Sequence, residues 1–412
     1  FPEAVFADAT EFIKTDSNFG QARVDTQLTE FLVKDYYVQN ADKMLFVTGF
    51  VASNDANRVT TLGRGGSDYT AAILASALNA NEIQIWTDVN GMMTADPRIV
   101  KKAFPLEELS YIEAMELSYF GAKVIYPPTM TPAFLKKIPI VIRNTFEADF
   151  EGTYIRHGAK PSALPIKGIS SIDDISIINL AGSGMVGKAG FSGRLLSLLS
   201  REQINVVLIT QSSSEHSITF AVKPDDAVKA VNLIAKEFDL ELQANKLQTP
   251  EVETGLAVLA IVGENMKRTP GISGKLFYAL GRNGVNVHAI AQGSSEYNIS
   301  VIIAKADLSK AVNAVHDAFY TELNKTLHVF CLGTGNIGKT LFEQLQVQMP
   351  FLAKNNDLQV KVMGIANTRK MLLSPVGIAL QNWEEMLDTQ GEPADLETFV
   401  AKMKAMKLPN CV

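Results

Sequence analysis

The hydrophobic pattern divides the chain into three stretches with different rhythms. The first stretch alternates apolar strand patterns with helical patterns, which fall at residues 44–50, 68–80, 83–86, 111–120 and 138–142. Alternation of this kind predicts a mostly parallel sheet with helices on its faces. Loops that carry function are then expected at the carboxyl ends of the strands.

The second stretch contains two copies of one pattern. Residues 193–218 match residues 274–299 without a gap, and Gln211 and Gln292 occupy the same position in the two copies. In each copy a helix leads into a strand, a polar turn, a second strand and a further helix. The pattern predicts two equivalent βαββαβ units, each expected to hold the same small ligand.

The third stretch begins at residue 327 with a strand, a glycine turn and a long helix. Gly333, Gly335 and Gly338 form a Gly-x-Gly-x-x-Gly pattern that also contains Asn336 and Ile337. Between a strand and a helix, this pattern indicates pyrophosphate binding at the helix N-terminus. The alternative is a packed unit with a tight turn and no cofactor.

The next strand of this stretch is followed by basic residues. Arg369 and Lys370 stand where a dinucleotide-binding fold often has an acid for the ribose hydroxyls. Because these cations suit a 2′-phosphate, the sequence favours NADP(H) over NAD(H) as the cofactor.

Length and composition narrow the class of protein. A chain of 412 residues predicts two to four domains, and 47% hydrophobic with 20% charged residues is ordinary for a globular protein. The net charge of −6 argues against nucleic-acid binding, and no apolar run is long enough to span a membrane. The 2 cysteines cannot form a disulfide framework, so we expect a cytoplasmic location. The chain opens on Phe1 and closes on a segment typical of a strand start, so we expect a fragment of a longer polypeptide.

Residues 60–70 form the most specific local motif. Three glycines let the backbone approach an anion closely, and Ser67 is expected to cap the following helix. Arg64 can bind a carboxylate through two parallel hydrogen bonds, and Asp68 can position a cation. The alternative interpretation is a capped helix after a surface loop.

Two further segments follow in order. The first runs from residue 86 to 98 and carries Thr87, Asp88, Asp96 and Arg98 around a glycine turn. The second places Lys123 just after a helix. Individually, the first segment reads as a turn and Lys123 as a solvated cation.

Taken together, the three segments resemble the nucleotide-binding half of the aspartate kinases, in the amino acid kinase family. The resemblance implies transfer of the ATP γ-phosphate, with Mg²⁺, to the side-chain carboxylate of L-aspartate. It implies that Arg64 and Ser67 bind aspartate and that Asp68 organises the catalytic cation. Nucleotide contacts are implied for Thr87, Asp88, Asp96, Arg98 and Lys123.

Two departures from the aspartate kinase pattern matter. Met93 stands where the family often has a tyrosine, and the Lys-Phe-Gly-Gly-Thr-Ser type motif does not occur. The lysine of that motif bridges the phosphates, so we expect the chain as given to lack kinase activity.

The repeated stretch, residues 165–322, resembles the ACT domains that sense small molecules. The resemblance implies that residues 166–171 join the second sheet while residues 175–180 begin the first. Gln211 and Gln292 are the candidate effector ligands, since an amide both donates and accepts hydrogen bonds. Glycines and serines before the helices could present backbone N–H groups to a carboxylate. The alternative is polar loop residues that close a half-exposed sheet. The Gln-Ser-Ser-Ser-Glu form of the turn resembles the version found in threonine-responsive enzymes, which implies threonine as effector over lysine.

In this order, the three stretches resemble the bifunctional aspartokinase/homoserine dehydrogenases. That resemblance implies a second activity, the NAD(P)H-dependent reduction of aspartate semialdehyde to homoserine, and a homo-oligomer assembled through the ACT domains. The alternative function is a non-catalytic, threonine-binding regulatory and oligomerisation module. The predicted domains are a kinase part at 1–158, a first ACT domain at 175–251, a second at 159–174 with 252–325, and the start of a Rossmann domain at 326–412.

Overall fold

The structure is a computed structural model of the chain. It describes residues 4–121, 125–159, 164–212, 214–294, 297–321, 326–356, 358–406, 408 and 411–412. Lys123, predicted to contact the nucleotide, lies outside these residues. The chain forms two compact units, residues 1–318 and residues 319–412. Within the described residues, no helix combines the length and the apolar character needed to cross a membrane.

The first part of the larger unit alternates strands and helices. Its elements are β1 (Ala4–Ala7), β2 (Lys14–Thr15), α1 (Thr26–Gln39), β3 (Met44–Val47), β4 (Val51–Asn54), β5 (Val59–Thr61), α2 (Gly66–Leu78), β6 (Ile83–Thr87), β7 (Glu108–Leu109), α3 (Tyr111–Tyr119), α4 (Pro127–Lys136), β8 (Ile140–Asn144) and β9 (Thr153–Ile155).

These strands form small mixed sheets and not one mostly parallel sheet. Pairs β1–β3, β2–β4, β6–β8 and β7–β9 are parallel, while β4–β5 and β8–β9 are antiparallel. The strand predicted at 44–50 ends at Val47, because Phe50 has a positive φ of 74° that breaks the extended backbone. The buried face of β6 and β8 packs on α2, α3 and α4 through Ile83 and Ile140.

The repeated region completes the larger unit. Its elements are β10 (Gly168–Ala181), α5 (Phe191–Arg201), β11 (Leu208–Gln211), β12 (Ser217–Val222), α6 (Pro224–Glu237), α7 (Asp239–Gln243), β13 (Glu251–Val262), α8 (Ile272–Arg282), β14 (Val287–Gln292), β15 (Asn298–Ala304) and α9 (Leu308–His316).

Strands β10 and β13 each serve both copies. The sheet order is β11-β12-β10-β13-β15-β14. The second half of β10 pairs with β12 of the first copy, whereas Gly168–Ile172 of β10 pairs with the half of β13 that faces β15. This is the exchange that the ACT resemblance implied. Each copy therefore completes its sheet with a strand half that lies outside its own repeat.

The two sheet halves face one another over a shared core. Leu208 of β11, Ile177 of β10 and Ile302 of β15 belong to one buried cluster, with Ala289 of β14 packed against it. The opposite face of the first copy is covered by α5 and α6, through residues such as Leu195 and Ile234. Leu276 and Val315 are the corresponding buried residues on α8 and α9. Burial of this area fixes both copies in one unit.

The smaller unit has the predicted strand, glycine turn, helix and strand. Its elements are β16 (Thr326–Leu332), α10 (Asn336–Asn356), β17 (Gln359–Ala366), β18 (Lys370–Leu373), α11 (Trp383–Gln390), β19 (Glu392–Pro393) and α12 (Leu396–Ala405). Strands β16 and β17 are parallel, and Cys411 forms a parallel bridge to His328 on the other side of β16. The core lies between the sheet and its helices, with Phe342 and Trp383 in edge contact 5.1 Å apart.

Candidate functional site

The anion-binding turn before α2 is shaped by a glycine cap. Gly65 is the N-cap with φ 69°, and no side chain caps the helix. The prediction that Ser67 caps the helix is therefore wrong, because Ser67 lies inside the first helical turn. A left-handed N-cap is easily adopted by glycine and leaves the first amides without a side-chain acceptor.

Close packing holds this turn in place. A Cβ on Gly66 would lie 2.6 Å from the Phe50 ring, so only glycine fits there. The Phe50 N–H donates to Thr70 Oγ1 at 3.0 Å, and that hydroxyl donates to the Gly66 carbonyl at 2.9 Å. The strained φ of Phe50 is thus tied to the first turn of α2.

Arg64 and Asp68 flank the turn. The Arg64 guanidinium lies 5.7 Å from the centre of the Tyr126 ring, a cation–π distance. Asp68 is half-buried at the start of α2, and this burial raises the pKa of its carboxyl. With Ser67, both residues line a recess that the glycine turn encloses.

A larger cleft joins this turn to the second predicted segment. It has a volume of about 1010 Å³ and is lined by Arg64, Asp68, Asp96 and Arg98 together. These residues come from two loops far apart in the sequence. A pocket with two cationic and two anionic groups suits a ligand with several phosphate charges and a bound cation.

Asp96 and Arg98 form a closed pair inside this cleft. The Arg98 guanidinium donates to both Asp96 carboxylate oxygens at 2.6–3.1 Å, and this pairing raises the pKa of Arg98. The Asp96 carbonyl accepts N–H groups from Ile99 and Val100. The pair is exposed, so a phosphate could compete with Asp96 for Arg98.

The remaining nucleotide residues lie elsewhere or are not described. Thr87 ends β6 and donates to the exposed Asp88 at 3.2 Å. Among the described residues that line the cleft, neither Thr87 nor Asp88 is present. The structure therefore brings four of the predicted kinase residues, Arg64, Asp68, Asp96 and Arg98, into one cleft and does not bring Thr87 or Asp88 into its lining.

The cleft also contains residues that the sequence did not suggest. Asp173, Asn205 and Lys223 reach it from the ACT region. The ACT region therefore forms one wall of the cleft. No local motif marks these positions: Asp173 lies within β10, Asn205 lies between α5 and β11, and Lys223 lies between β12 and α6. Only the tertiary structure brings them near Arg64.

The first ACT copy has its own pocket around Gln211. This pocket of about 360 Å³ is lined by Gly190, Ser192, Gln211 and Glu215 among others. Ser192 donates to Gln211 Oε1 at 3.3 Å, and the Gly187 N–H donates to Glu215 at 3.0 Å. The N-terminus of α5 opens into the pocket, which suits an amino acid: a carboxylate at the helix end and an ammonium near Glu215.

The second copy repeats the backbone of this pocket. Gly271 caps α8 with φ 89°, as Gly190 caps α5 with φ 105°, and neither helix has a side-chain cap. Gln292 ends β14 and is exposed, as Gln211 is at the end of β11. The residue that corresponds to Glu215, Glu296, lies outside the described residues.

The glycine turn of the smaller unit has the geometry of a tight phosphate loop. Gly333 has φ 113°, and a Cβ on Gly338 would lie 2.1 Å from the Gly333 carbonyl. Gly335 accepts the N–H of Lys339, so Asn336 and Ile337 lie in the first turn of α10. A side chain at position 338 would open the turn.

The side chains of the two basic residues after β17 have different surroundings, since Lys370 is hydrogen-bonded and Arg369 is exposed. Both backbone N–H groups of Arg369 and Lys370 donate to Asn367 at 2.7 Å. The Lys370 ammonium is turned to the Asp388 carbonyl at 2.6 Å, while Arg369 is exposed. Arg369 is therefore the better placed of the two to bind a 2′-phosphate.

Models of known families match three segments of the chain. Residues 3–144 match the amino acid kinase family. Residues 178–238 and 259–319 each match an ACT domain, so the repeat is a duplicated ACT unit.

Curated relatives extend the likeness over the whole chain. Bifunctional aspartokinase/homoserine dehydrogenase 1, chloroplastic, of Arabidopsis thaliana is 40% identical over 98% of this chain and 45% of its own length. The bifunctional enzyme of Haemophilus influenzae is 41% identical over 90% of this chain and 45% of its own length. The chain thus spans less than half of these relatives. Lysine-sensitive aspartokinase 3 of Escherichia coli is 31% identical over 77% of this chain and 70% of its own length.

Solved aspartokinase structures are also similar to this chain. Aspartokinase III of E. coli in complex with aspartate and ADP has a TM-score of 0.66 at 29% identity and covers 77% of this chain and 70% of its own. The same enzyme in complex with lysine and aspartate has a TM-score of 0.61 at 31% identity, over 77% of this chain and 69% of its own. The predicted kinase and ACT folds are confirmed.

Proposed function

The chain belongs to the aspartokinase family, and from that premise we propose that it phosphorylates L-aspartate with ATP as part of a longer polypeptide. The observation that carries the proposal is the cleft shared by Arg64, Asp68, Asp96 and Arg98. Both reactants are anions, so the site has mainly to neutralise charge and to align them. An aspartokinase structure with aspartate and ADP is the family precedent for this pair of ligands.

The residues of the glycine turn bind the substrate aspartate. Arg64 binds a carboxylate of aspartate, and Ser67 donates a hydrogen bond from the first turn of α2. The free amides at this helix end favour a negative charge. Asp68 stands beside them, where its carboxylate holds the cation that accompanies the phosphates.

Mg²⁺ fits this site as a companion of ATP. Among the described residues, no group of three or more His, Cys, Asp or Glu side chains is arranged to hold a metal ion. Mg²⁺ is commonly held by one or two carboxylates together with substrate phosphates, so Asp68 is a sufficient protein ligand. Arg98 binds the phosphates on the other side of the cleft. For Thr87, Asp88 and Lys123, the proposed nucleotide contacts rest on the family resemblance alone, since Thr87 and Asp88 do not line the cleft and Lys123 lies outside the described residues.

The ACT copies supply feedback by threonine. The pocket around Gln211 offers a helix N-terminus, an amide and the acid Glu215, and threonine is a zwitterion with a polar side chain. A related aspartokinase structure contains lysine, so lysine is the rival effector. ACT units pair across chains in such enzymes, and a homo-oligomer is proposed on that basis.

A second activity is proposed for the polypeptide, the reduction of aspartate semialdehyde to homoserine. The bifunctional relatives carry both names, and the Gly333–Gly335–Gly338 turn fits the pyrophosphate of NADP(H). This cofactor supplies a hydride when bound. The chain contributes the turn, the N-terminus of α10 and Arg369, which hold and orient the dinucleotide.

The kinase proposal is tested by removing the charged groups of the glycine turn. The test uses a polypeptide that contains this chain and reaches the length of its bifunctional relatives. Arg64→Ala and Asp68→Asn are expected to lower aspartyl phosphate formation by about 100-fold or more, the usual cost of a lost charge-stabilising group. The matched control is Arg58→Ala, an exposed arginine on the β4–β5 turn.

The assay is ADP release with aspartate as the acceptor, together with trapping of the acyl phosphate. Full activity of both variants would contradict the proposed roles of Arg64 and Asp68. Absence of aspartate-dependent ADP release from the unsubstituted polypeptide would contradict the function itself.

A further inference from the structure

A loop of the kinase region, residues 92–106, is closed at its stem. We call it the nucleotide loop, because it carries Asp96 and Arg98. The Thr94 N–H donates to the Phe104 carbonyl at 3.0 Å, and the Leu106 N–H donates to the Met92 carbonyl at 2.8 Å. The Met92 N–H also donates to Thr153 Oγ1 at 2.9 Å, at the start of β9. The stem is thus attached to the kinase sheet.

The nucleotide loop is also attached to the second ACT copy, at Thr94 in its stem and at Ile99 further out. The Thr94 hydroxyl oxygen lies 3.0 Å from His316 Nε2 at the end of α9. Asn313, one turn earlier on α9, donates to the Ile99 carbonyl at 3.1 Å. The Ile169 N–H on β10 donates to the Thr94 carbonyl at 2.8 Å. These contacts bracket Asp96 and Arg98 in the sequence.

The hydrogen bond between Thr94 and His316 is buried. Thr94 is 0% exposed and His316 is 1% exposed. The Thr94 hydroxyl also accepts the Phe104 N–H at 3.2 Å, so one oxygen connects the loop stem to α9. The Phe104 ring meets the imidazole edge to face at 6.4 Å. Shifting α9 would break a buried polar contact, which is costly, so helix and loop are expected to move together.

Helix α6 of the first ACT copy has no counterpart of His316. Lys229-Ala-Val-Asn232 on α6 repeats as Lys310-Ala-Val-Asn313 on α9, which aligns the two helices. In that alignment Ala235 stands where the second copy has His316, and Asn232 is exposed. The imidazole is therefore particular to the helix that meets the nucleotide loop.

We infer that His316 and Asn313 are positioning residues, through which the second ACT copy sets where Asp96 and Arg98 stand in the cleft. The inference rests on the proposed kinase function. Arg64 and Ser67 are carried by the turn before α2 and by α2 itself, which are separate from the nucleotide loop. A displaced α9 therefore acts on ATP and not on aspartate.

The kinetic test compares the two Michaelis constants in the full-length polypeptide. His316→Ala and Asn313→Ala are expected to raise the KM for ATP about tenfold, with the KM for aspartate unchanged. His316→Gln, which keeps a polar group near Thr94, is expected to restore most of the ATP affinity. Asn232→Ala, the matched change on α6, is expected to alter neither constant.

Two kinetic results would overturn the inference. One is an equal rise of both Michaelis constants, which indicates general damage. The other is an unchanged KM for ATP in both alanine variants.

A second measurement does not depend on activity. Hydrogen exchange in the 412-residue chain is expected to quicken at residues 92–106 in His316→Ala and to stay unchanged at residues 60–70. Equal quickening in both segments, or none in the nucleotide loop, would reject the positioning role. If aspartate phosphorylation itself fails, the exchange result still decides whether α9 holds the loop, so the two failures are distinguishable.

Discussion

The two ACT copies have the same backbone and different neighbours. On the first copy, Arg194 joins α5 to the end of α6 and to α7, with ion pairs to Glu237 and Glu241 at 3.3 and 2.6 Å and its guanidinium 4.3 Å from the Phe238 ring. On the second copy, α9 instead turns His316 and Asn313 toward the kinase region. The comparison teaches that duplication reproduces the glycine helix caps and the strand pairing, while side chains on the outer helix decide what each copy is connected to.

The largest expected effect comes from emptying the core of either copy. Leu195 on α5 and Leu276 on α8 occupy the same repeat position and are both 0% exposed. Leu195→Ala and Leu276→Ala are each expected to lower the free energy of unfolding by about 2–5 kcal/mol, measured by urea denaturation. Leu196→Ala, at a site that is 42% exposed, is the control and should cost far less.

This pair also sharpens the comparison. Leu276→Ala is expected to quicken hydrogen exchange in the nucleotide loop, since α8 packs beside α9, whereas Leu195→Ala is not. Equal quickening of the loop by both substitutions would mean that the two copies are connected to the kinase region alike.

The next effect concerns the two effector sites. Gln211→Ala and Gln292→Ala are each expected to weaken threonine binding by about 1–3 kcal/mol, because each removes a hydrogen bond that the bound amino acid would bury. Titration calorimetry measures it, with Gln243→Ala on the exposed end of α7 as the control. If only one substitution weakens binding, the copies are not equivalent sensors. Binding of lysine without threonine would replace the effector.

The smallest expected effect is a difference in pH dependence. Burial lowers the pKa of His316 from its ordinary value of 6.5, with Asp317 raising it and Lys102 lowering it as smaller contributions. The unfolded chain therefore takes up a proton at His316 before the folded chain does. The contribution to stability is present above pH 6.5 and is lost as the pH falls toward the lowered value.

The check is thermal unfolding of the 412-residue chain from pH 7.5 down to pH 5. His316→Gln is expected to lose less stability on acidification than the unsubstituted chain. A parallel decline in both proteins would show that His316 does not titrate as its burial indicates.

Much of the fold followed from local patterns. The second strand of each copy, Ser217–Val222 and Asn298–Ala304, follows the polar turn as the repeated pattern predicts, because alternation and the flanking turns mark it. Helix α2 begins at Gly66, two residues before the predicted start, since a glycine cap leaves no side-chain signal. That the kinase sheets are mixed could not be predicted, because short strands do not show in sequence whether they pair parallel or antiparallel.

The candidate site was predictable only in part. The glycine turn with Arg64 and Asp68 is a local motif, and its residues are adjacent by necessity. That Asp96 and Arg98 share its cleft follows from packing between distant loops. The contact of Thr94 with His316 joins residues more than 200 positions apart, and nothing near either residue marks it.

By itself, the sequence determined which elements form, that one unit is duplicated, and which family the chain resembles, because propensity, periodicity and motif spacing are properties of neighbouring residues. The ACT resemblance already implied that β10 is shared between the two copies, which the single six-stranded sheet confirms. Only the tertiary structure decided that the ACT region forms a wall of the kinase cleft and that the second copy holds the nucleotide loop. These outcomes depend on contacts between residues that are far apart in the sequence. The Thr94 hydroxyl and the His316 imidazole form a hydrogen bond only when folding has brought them together and excluded water from between them.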